Sequence, residues 1–592
     1  MSSKTQRLVV IGNGMAAGRM VEDLVTRSPG LYSVTIFGAE PRVNYDRIML
    51  SPVLSGEKEY EQIIIHDDAW YERHGVTLLK GRMVTAIDRA AKKVACDDGF
   101  ELEYDKLLIA TGSSPFVIPV PGADLPEVLT YRDQGDVEKM LAAAARGGSA
   151  VVIGGGLLGL EAAAGLKARG MEVTVLHLMP TLMERQLDPS AGYLLERAVE
   201  ARGIRVITRA NTHAILGEDH VTAVRLDDGR EIPADLVVMA AGIRPNAALA
   251  KEAGLAVNRG VLVDDAMATD DPDVFAVGEC VEHRGVCYGL VAPLYEMAKV
   301  LAKRLAGDAE AAYSGMAIST KLKVTGIDLF SAGDFAEGEG REEIVLRDPA
   351  RNVYRRLILK DNRIVGIVLY GDTADSAWFF QLLKNGSDVS ELRDTLIFGP
   401  AYAGGSPLDP TAAVAALPDE AEICGCNGVC KGTIVTAIAE GGHTSLDAVR
   451  AHTKASGSCG SCTGLVEQLL ELTQGDGYAR DAVQPVCGCT DLGHDEVRRL
   501  IVAQDLKSMP AVMQGLSAQE SDAPTVDTDG DGTPDAWDKS GDGKADAWDT
   551  NGDGKADAWD TDGNGKPDAY DTDGDGQPET MDKDEDGTPD QP

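Results

Sequence analysis

The sequence predicts an α/β fold that contains two parallel sheets of the Rossmann type. Two observations predict it: an apolar strand runs into a glycine-rich turn and a helix at Arg7–Gly18, and the same pattern returns at Ala150–Glu161. In such a turn, the glycines permit a tight bend and let a phosphate approach the positive N-terminus of the helix. Because the two segments lie far apart in the chain, we expect two separate nucleotide-binding folds.

The first turn carries Gly12, Gly14 and Gly18 after its strand. A second strand, predicted at Ser33–Phe37, ends near Glu40, whose carboxylate is placed to bind ribose hydroxyls. Three later segments supply the strand ends that two such sheets require. They are Tyr104–Gly112, which ends in Thr111 and Gly112, Asp235–Gly242, which ends in Gly242, and Asp273–Glu279, which ends in Gly278 and Glu279.

The second turn has the same spacing, with Gly154, Gly156 and Gly159 followed by Glu161. The next strand, predicted at Glu172–Leu176, ends at His177, where a site selective for NAD usually carries Asp or Glu. Arg185 lies downstream. Without the carboxylate, the repulsion that would exclude a 2′-phosphate is missing, so these residues leave the choice between NADH and NADPH open.

The composition of the 592-residue chain is that of a globular protein, with 44% hydrophobic residues and a net charge of −39. Residues 527–592 hold 22 acidic and 5 basic side chains, so the acidity is concentrated there. A nucleic-acid partner is not expected, because it would need a basic face. The sequence shows no apolar run of about 18 residues and no secretory leader, which favours a cytoplasmic protein without a membrane partner.

Seven of the ten cysteines fall between positions 424 and 489. Two close pairs stand out, Cys424 with Cys426 and Cys459 with Cys462. Their CxC and CxxC spacings suit a [2Fe–2S] cluster or a zinc ion rather than disulfides. Cys430, one helical turn past Cys426, is interpreted as a non-ligand. Cys487 and Cys489 start a similar pattern, but no CxxC follows, and two thiolates cannot hold a cluster alone. The segment is interpreted as a vestigial helix, and completion of the site by a partner chain is the alternative.

The order of the glycine motifs, GxGxxxG, ATG, GGGxxGxE, AxG and VFAVGE, resembles that of flavoprotein reductases of the pyridine nucleotide-disulphide reductase type. The resemblance implies FAD in the first fold, NAD(P)H in a second fold inserted into the first, and Glu279 on the FAD ribitol. The segment Asn44–Leu54 resembles the YxRPxLSK region of rubredoxin-type reductases, with Arg47 aligned and the lysine replaced by Pro52. It has no cysteine, so disulphide chemistry is not expected.

The CxC and CxxC pairs resemble those of the small helical BFD-like ferredoxin domain, in which both pairs lie on loops at helix starts. The resemblance favours a [2Fe–2S] cluster over zinc. Residues 1–515, with strings such as IFGAEPRVNYDRI and STKLKVTGIDLFSAGDF, resemble the N-terminal half of assimilatory NAD(P)H nitrite reductases and the electron-transfer subunit of nitrate reductases. This family favours NADH, which would pass electrons through FAD and the cluster.

The sirohaem module of complete nitrite reductases carries Cx5C and Cx3C pairs, and this sequence has no such set. The resemblance therefore implies that the electrons go to a separate nitrite or nitrate reductase or another one-electron acceptor. The side chains need not act as acid or base, because hydride transfer depends mostly on positioning. A ferredoxin or rubredoxin reductase is the alternative within the enzymes, and a calcium-dependent scaffold is the alternative from another class.

Residues 527–592 are six copies of an 11-residue acidic unit. The unit resembles thrombospondin type 3 and dockerin-like calcium repeats, and carboxylates at its positions 1, 3, 5 and 9 would supply hard oxygen ligands to Ca²⁺. The aromatic residues Trp537, Trp548, Trp559 and Tyr570 recur once per unit and are expected to stack along one side. The alternative is a solvated acidic tail. The predicted calcium ligands are Asp527, Asp529, Asp531, Asp535, Asp538, Asp549, Asp553, Asp560, Asp562, Asp571, Asp573 and Asp575.

These patterns predict eight segments along the chain. They are an FAD domain at 1–145 and 269–314, an NAD(P)H domain at 146–268, a small α+β domain at 315–400 that packs near the flavin and is a candidate for homodimer formation, a linker at 401–420, the BFD-like domain at 421–475, a truncated second BFD-like segment at 483–515, a linker at 516–526, and the repeats at 527–592.

Overall fold

The structure is a computed structural model that describes most of the first 474 residues and short pieces beyond them. The chain divides into two compact units, Met1–Tyr478 and Ala479–Pro592. The described residues are 5–322, 327–402, 414–415, 417–425, 427–458, 462–474, 485–487, 490–493, 525–526, 536–537, 547–548, 558–559, 566–567, 569–570 and 580–581. Among them, no helix is both long enough and apolar enough to cross a lipid bilayer.

The first sheet of the larger unit has five parallel strands. In spatial order they are Val274–Ala276, Lys106–Ile109, Gln6–Ile11, Tyr32–Gly38 and Val76–Lys80. The helices Met15–Arg27 and Val291–Leu305 pack together beside it. The central strands are apolar and buried at Leu8–Ile11 and Leu107–Ile109, because residues on both faces of the sheet are covered there. The glycine-rich turn therefore lies at the carboxyl end of the central strand, where parallel sheets bind ligands.

The second sheet also has five parallel strands. In sequence, all of them lie between the strands Lys106–Ile109 and Val274–Ala276 of the first sheet. In spatial order they are Val128–Thr130, Leu236–Met239, Ser149–Ile153, Glu172–Leu176 and Ile204–Ile207. Its helices are Gln134–Ala144, Leu157–Ala168 and Pro189–Ala201. The predicted insertion of one Rossmann-type fold into another is confirmed.

The bounds of the inserted fold differ from the predicted 146–268. The strand Val128–Thr130 pairs with the second sheet, and the helix Gln134–Ala144 contributes Val137 and Met140 to its core. At the other end, Val261–Val263 pairs with Val281–His283, and Val261 lies in the core of the first fold. Val128–Thr130 and Val261–Val263 have three residues each, which is too short for a hydrophobic periodicity that would assign them from sequence.

Short antiparallel sheets and helices complete the two folds. The paired strands are Asn44–Tyr45 with Ile64–His66, Val84–Asp88 with Lys93–Cys96 and Glu101–Glu103, Ser113–Pro115 with Ile243–Pro245, Thr212–Gly217 with Val221–Leu226 and Glu231–Pro233, and Val281–His283 with Val286–Cys287. The remaining α-helices here are Leu50–Ser55, Asp68–Arg73 and Ala248–Glu252.

The predicted small α+β domain contains a five-stranded antiparallel sheet. In spatial order its strands are Ser319–Lys321, Leu329–Gly333, Arg363–Tyr370, Val353–Lys360 and Arg341–Asp348. The helix Ser376–Asn385 packs on this sheet through the fully buried Phe379. The first strand of this sheet, Ser319–Lys321, follows the last helix of the first fold in the chain. It lines the same cavity as Gly12 and Gly14, so the sheet lies beside the first glycine-rich turn.

The described residues of the cysteine-rich domain form a hairpin and three helices. The hairpin pairs Glu422–Cys424 with Val429–Cys430, and the helices are Lys431–Ala439, Leu446–Thr453 and Thr463–Gln474. The prediction that Cys430 lies one helical turn past Cys426 is wrong, because Gly428, with a φ of +59°, turns the chain into an antiparallel strand and the helix begins only at Lys431. Cys424 thus belongs to a hairpin, whereas Cys462 directly precedes a helix.

In the smaller unit, the described residues form an antiparallel sheet of two-residue strands, one just before the first repeat and one in each of the first five repeats. The strands are Thr525–Val526, Ala536–Trp537, Ala547–Trp548, Ala558–Trp559, Ala569–Tyr570 and Thr580–Met581. Trp548 pairs with Ala536 and Ala558, and directly paired residues share a face of the sheet. Trp548, Trp559 and Tyr570 therefore alternate between the two faces, so the expectation that these aromatic residues stack along one side is wrong. Pro485–Cys487 and Thr490–Gly493 form a further hairpin.

Candidate functional site

A cavity of about 650 Å³ opens at the carboxyl end of the first sheet. Its walls come from both Rossmann-type folds, from the antiparallel sheet and from the cysteine-rich hairpin. A cavity of this size and mixed lining is typical of a site for a cofactor. The predicted residues that line it are Gly12, Gly14, Glu40, Arg47, Thr111, Gly112, Gly278, Glu279 and, from the second fold, Glu161.

The three glycines of the first turn have three different roles. A Cβ on Gly12, whose φ is +111°, would lie 2.2 Å from the carbonyl oxygen of Ala110, so only glycine fits this turn. A Cβ on Gly18 would lie 2.8 Å from Oδ1 of Asn44, outside the cavity lining. Gly14 has open space around it and caps the helix Met15–Arg27 without a side-chain hydrogen bond. This open helix N-terminus fits the pyrophosphate of FAD.

Glu40 lies in the cavity wall and accepts hydrogen bonds from two side chains. The sequence motifs did not predict that these residues contact each other. The hydroxyl of Tyr45 donates to Glu40 Oε2 at 2.7 Å, and Arg47 donates to Glu40 Oε1. Arg47 also donates to the carbonyl oxygen of Arg132 at 3.1 Å. Burial raises the pKa of Tyr45 far above its usual value, so its hydroxyl stays a donor. These bonds fix the orientation of the carboxylate, and its binding to a ribose stays a prediction.

Glu279 is held by Arg132 and Ser113. Arg132 forms an ion pair with Glu279 Oε2, and the hydroxyl of Ser113 donates to the same oxygen at 2.8 Å. The Glu279 side chain is only 11% exposed, so the guanidinium compensates a largely desolvated carboxylate. Sequence analysis missed both partners, because neither belongs to a glycine motif.

Arg132→Gln is expected to raise the dissociation constant of FAD by about tenfold, because an uncompensated carboxylate would face the cavity. The measurement is FAD release from the full chain, followed by flavin fluorescence during dilution. Arg82→Gln is the matched control, since Arg82 lies outside the cavity lining and forms a more exposed pair with Asp98 that is expected to contribute less than about 1 kcal/mol. Equal FAD affinity in the two variants would contradict the assigned role of Arg132.

Glu161 reaches the cavity from the second fold. Ser51 donates from its hydroxyl to Glu161 Oε2, and the buried hydroxyl of Tyr131 donates to Ser51 Oγ at 3.0 Å. Burial raises the pKa of Tyr131 far above its usual value. These neutral hydroxyl groups orient the buried carboxylate.

The second fold repeats the pattern of the first. Gly154, with a φ of +127°, would place a Cβ 2.3 Å from the carbonyl oxygen of Ala240, and Gly159 would place one 1.9 Å from that of Gly154. Gly156 has open space and caps the helix Leu157–Ala168 without a side-chain hydrogen bond. This turn fits a second pyrophosphate, that of the nicotinamide nucleotide.

Six predicted cofactor residues lie outside the cavity lining, namely Gly154, Gly156 and Gly159 of the second turn and three others. Gly18 packs beside Asn44, and Gly242, with a φ of +118°, precedes the strand Ile243–Pro245 that links the two folds by pairing with Ser113–Pro115. His177 lies at the turn of the second fold, where its Nδ1 accepts a hydrogen bond from the Gly155 amide at 3.0 Å.

Of the four predicted cluster ligands, the structure describes Cys424 and Cys462. Both are at least 98% buried and belong to one hydrophobic core. Asn427 joins their loops, because its side-chain amide donates to the carbonyl oxygen of Lys454 at 2.8 Å and to Ser458 Oγ at 3.1 Å. Cys426 and Cys459 lie outside the described residues. Within the described part of the chain, no group of three or more His, Cys, Asp or Glu side chains is placed to hold a metal.

The cysteine-rich hairpin forms part of the cavity wall through Glu422 and Gly425. Lys384 of the antiparallel domain lies 3.7 Å from Glu422, and Lys299 of the first fold donates to the carbonyl oxygen of Gly428 at 3.5 Å. Burial raises the pKa of Glu422. The hairpin that carries Cys424 is thus anchored beside the cavity on both sides.

Comparisons with known proteins agree with this arrangement. Residues 6–300 match the pyridine nucleotide-disulphide oxidoreductase family. This part of the chain belongs to that family. Residues 319–387 match the rubredoxin NAD⁺ reductase C-terminal domain, and residues 422–471 match the BFD-like [2Fe–2S] binding domain. The chain is therefore a flavoprotein oxidoreductase with an added [2Fe–2S] domain, which confirms the predicted cofactors FAD, NAD(P)H and [2Fe–2S].

Similar proteins extend the match beyond single domains of this oxidoreductase. The chain is 46% identical to nitrite reductase [NAD(P)H] of Bacillus subtilis, over 86% of its own length and 63% of that protein. It is 41% identical to the assimilatory nitrate reductase electron transfer subunit of the same organism, over 83% of its own length and 63% of that protein. The chain thus spans less than two thirds of the length of either relative.

A solved structure is similar to about two thirds of the chain. The ferredoxin reductase for the CYP199A2 system from Rhodopseudomonas palustris matches with a TM-score of 0.61 and 26% identity, over 66% of this chain and 98% of that one.

The predicted calcium ligands of the repeats, from Asp527 to Asp575, lie outside the described residues, so calcium binding stays a prediction.

Proposed function

We propose that this oxidoreductase carries electrons from NADH to a separate nitrite or nitrate reductase protein. The observation that supports the proposal most directly is the shared cavity wall: Glu422 and Gly425, on either side of Cys424, line the cavity that Gly14 and Glu279 also line. An electron acceptor on this hairpin would lie next to the first nucleotide site. The names of the two Bacillus relatives support nitrite or nitrate reduction as the purpose of the transfer.

The residues of the chain position and insulate the reacting groups. Gly14 and Gly156 leave two helix N-termini open for two pyrophosphates, and Glu279 with Arg132 forms a fixed, nearly buried ion pair in the cavity wall. FAD, when bound there, takes two electrons as a hydride and can release them one at a time, and a [2Fe–2S] cluster accepts single electrons. We assign the cluster to Cys424, Cys426, Cys459 and Cys462.

The test uses the full chain under anaerobic conditions. Titration with NADH is expected to bleach the flavin absorbance and then to produce the EPR signal of a reduced [2Fe–2S] cluster. Subsequent addition of a nitrite or nitrate reductase catalytic protein is expected to oxidise both. Flavin bleaching without a cluster signal would contradict the electron path.

The physiological acceptor is tested in the same experiment. The similarities to a ferredoxin reductase and to the rubredoxin NAD⁺ reductase C-terminal domain support ferredoxin or rubredoxin as the alternative acceptor. Oxidation of the reduced protein by ferredoxin or rubredoxin, with none by nitrite or nitrate reductase, would favour that alternative. The cytoplasmic location, the homodimer and a calcium-dependent scaffold role of residues 527–592 stay predictions.

A further inference from the structure

The loop after the strand Glu172–Leu176 brings a carboxylate to the strand end from seven positions further along the chain. His177 occupies the strand end itself and is buried. Its Nδ1 accepts a hydrogen bond from the Gly155 amide, so the neutral ring carries its proton on Nε2. Nε2 lies 3.0 Å from Glu184 Oε2 and donates to it. Glu184 is therefore linked to the glycine-rich turn through one imidazole ring.

The backbone also fixes Glu184 in this position. The amide of Met183 donates to the carbonyl oxygen of Gly155 at 3.0 Å, so the loop folds back onto the glycine-rich turn. Leu182 and Met183 are fully buried, which anchors the loop beside the preceding residues. Glu184 remains 28% exposed, so its carboxylate is fixed but still accessible from solvent.

We propose that Glu184 makes the second fold select NADH over NADPH. The end of the second strand is where a Rossmann-type fold holds the adenosine ribose, and a carboxylate there repels a 2′-phosphate. In this chain Glu184 supplies that negative charge, and His177 positions it. The inference rests on the proposed function only in requiring that the second fold binds a nicotinamide nucleotide.

Arg185 does not cancel the charge of Glu184. Its side chain is 87% exposed, and its Nε lies 4.0 Å from Glu184 Oε1. A charge pair in this setting is screened by water and contributes little. The carboxylate held by His177 is therefore the better-ordered charge at the strand end.

The experiment measures binding of ADP-ribose and 2′-phospho-ADP-ribose to the full, FAD-loaded chain by isothermal titration calorimetry. The unmodified chain is expected to bind ADP-ribose more tightly. Glu184→Gln keeps an oxygen that accepts from His177 but removes the charge. It is expected to raise the affinity for 2′-phospho-ADP-ribose by about tenfold and to change that for ADP-ribose by less than about threefold.

Two further variants separate this role from alternatives. Arg185→Gln removes the neighbouring cation and is expected to leave the ratio of the two affinities within about twofold. His177→Asp in the Glu184→Gln background returns a carboxylate to the strand end and is expected to restore the discrimination. Stopped-flow reduction of the flavin by NADH and NADPH should follow the same order among the variants.

The outcomes distinguish this inference from the proposed function. If Glu184→Gln leaves the affinity ratio unchanged, or if Arg185→Gln alone removes binding of the 2′-phosphorylated ligand, the role of Glu184 is overturned while nucleotide binding stands. If neither ligand binds the unmodified chain, the nucleotide site of the second fold is itself wrong.

Discussion

Cys424→Ser is expected to leave flavin reduction by NADH intact and to slow electron transfer to a protein acceptor by at least about 100-fold. Cys424 is 1% exposed and lies in the same core as Cys462, so its thiolate is placed for a buried cluster. Serine has nearly the same size, which limits the disturbance of the hairpin. A cluster that lacks one of four thiolates is expected to be lost or strongly weakened.

The measurements distinguish effects on the flavin domains from effects on the cysteine-rich domain. Flavin content and the rate of ferricyanide reduction report on the flavin domains, whereas iron content, the EPR signal after NADH addition and reduction of the protein acceptor report on the cluster. Only the second group is expected to fall. Thermal unfolding followed by circular dichroism shows whether the helices of the cysteine-rich domain remain folded.

Cys430→Ser is the matched control. Cys430 ends the second strand of the same hairpin, is half-buried, and its Sγ lies 3.2 Å from Thr433 Oγ1. We expect this variant to keep the cluster and the full transfer rate. Loss of iron in Cys430→Ser, or an unchanged EPR signal in Cys424→Ser, would show that the ligand set is assigned wrongly.

The two nucleotide sites could be predicted from sequence because each glycine answers a local requirement. Gly12 and Gly154 must avoid a carbonyl oxygen on a neighbouring strand, and both have a positive φ. Only glycine meets such a requirement, so the residue type alone indicates the turn in the sequence. The strand Glu172–Leu176, predicted with the bounds that the structure has, shows the same for a buried parallel strand.

The partners of the acidic residues could not be predicted, because they come from distant segments. Ser51 meets Glu161 across 110 residues, and Arg132 meets Glu279 across 147. Neither pair leaves a periodic pattern, since the contact exists only once the two folds are packed together. Glu184 was missed for a related reason: the motif places a carboxylate at position 177, and the substitute is found only through the imidazole of His177.

The cysteine-rich domain shows the limit of spacing arguments. The pairs CxC and CxxC predicted the correct domain, but the helical spacing assumed for Cys430 was wrong. Gly428 adopts a positive φ and reverses the chain within a few residues. A glycine between two cysteines is compatible with a loop, a hairpin or a helix start, and the pairing of Glu422 with Cys430 decides among them.

Gly14→Ala is expected to abolish FAD binding without unfolding the protein. Gly14 has a φ of −81°, which alanine adopts readily, and a Cβ at this position has no other atom within 4 Å. The stability of the first fold should therefore change by no more than about 0.5 kcal/mol. The methyl group would instead occupy the space above the helix N-terminus and lower the affinity for FAD by about 100-fold or more.

Gly156→Ala tests the second turn in the same way. Its φ is −84°, and its Cβ would also have open space. This variant is expected to keep FAD and its thermal unfolding midpoint but to lose flavin reduction by NADH, with dithionite still reducing the flavin. The two variants together assign FAD to the first turn and the nicotinamide nucleotide to the second.

Gly12→Ala and Gly154→Ala are the contrasting variants, because their methyl groups would lie 2.2 Å and 2.3 Å from backbone carbonyl oxygens. A backbone cannot withdraw as a side chain can, and the positive φ adds strain, so we expect a loss of about 3 kcal/mol or more and poor folding. If Gly14→Ala unfolded as readily as Gly12→Ala, the second glycine would serve the turn rather than the ligand. The two turns share one pattern, since Gly12 and Gly154 meet backbone oxygens whereas Gly14 and Gly156 have open space. Gly156→Ala would then be expected to unfold the protein as well. In that case, the two helix N-termini could no longer be assigned to two pyrophosphates.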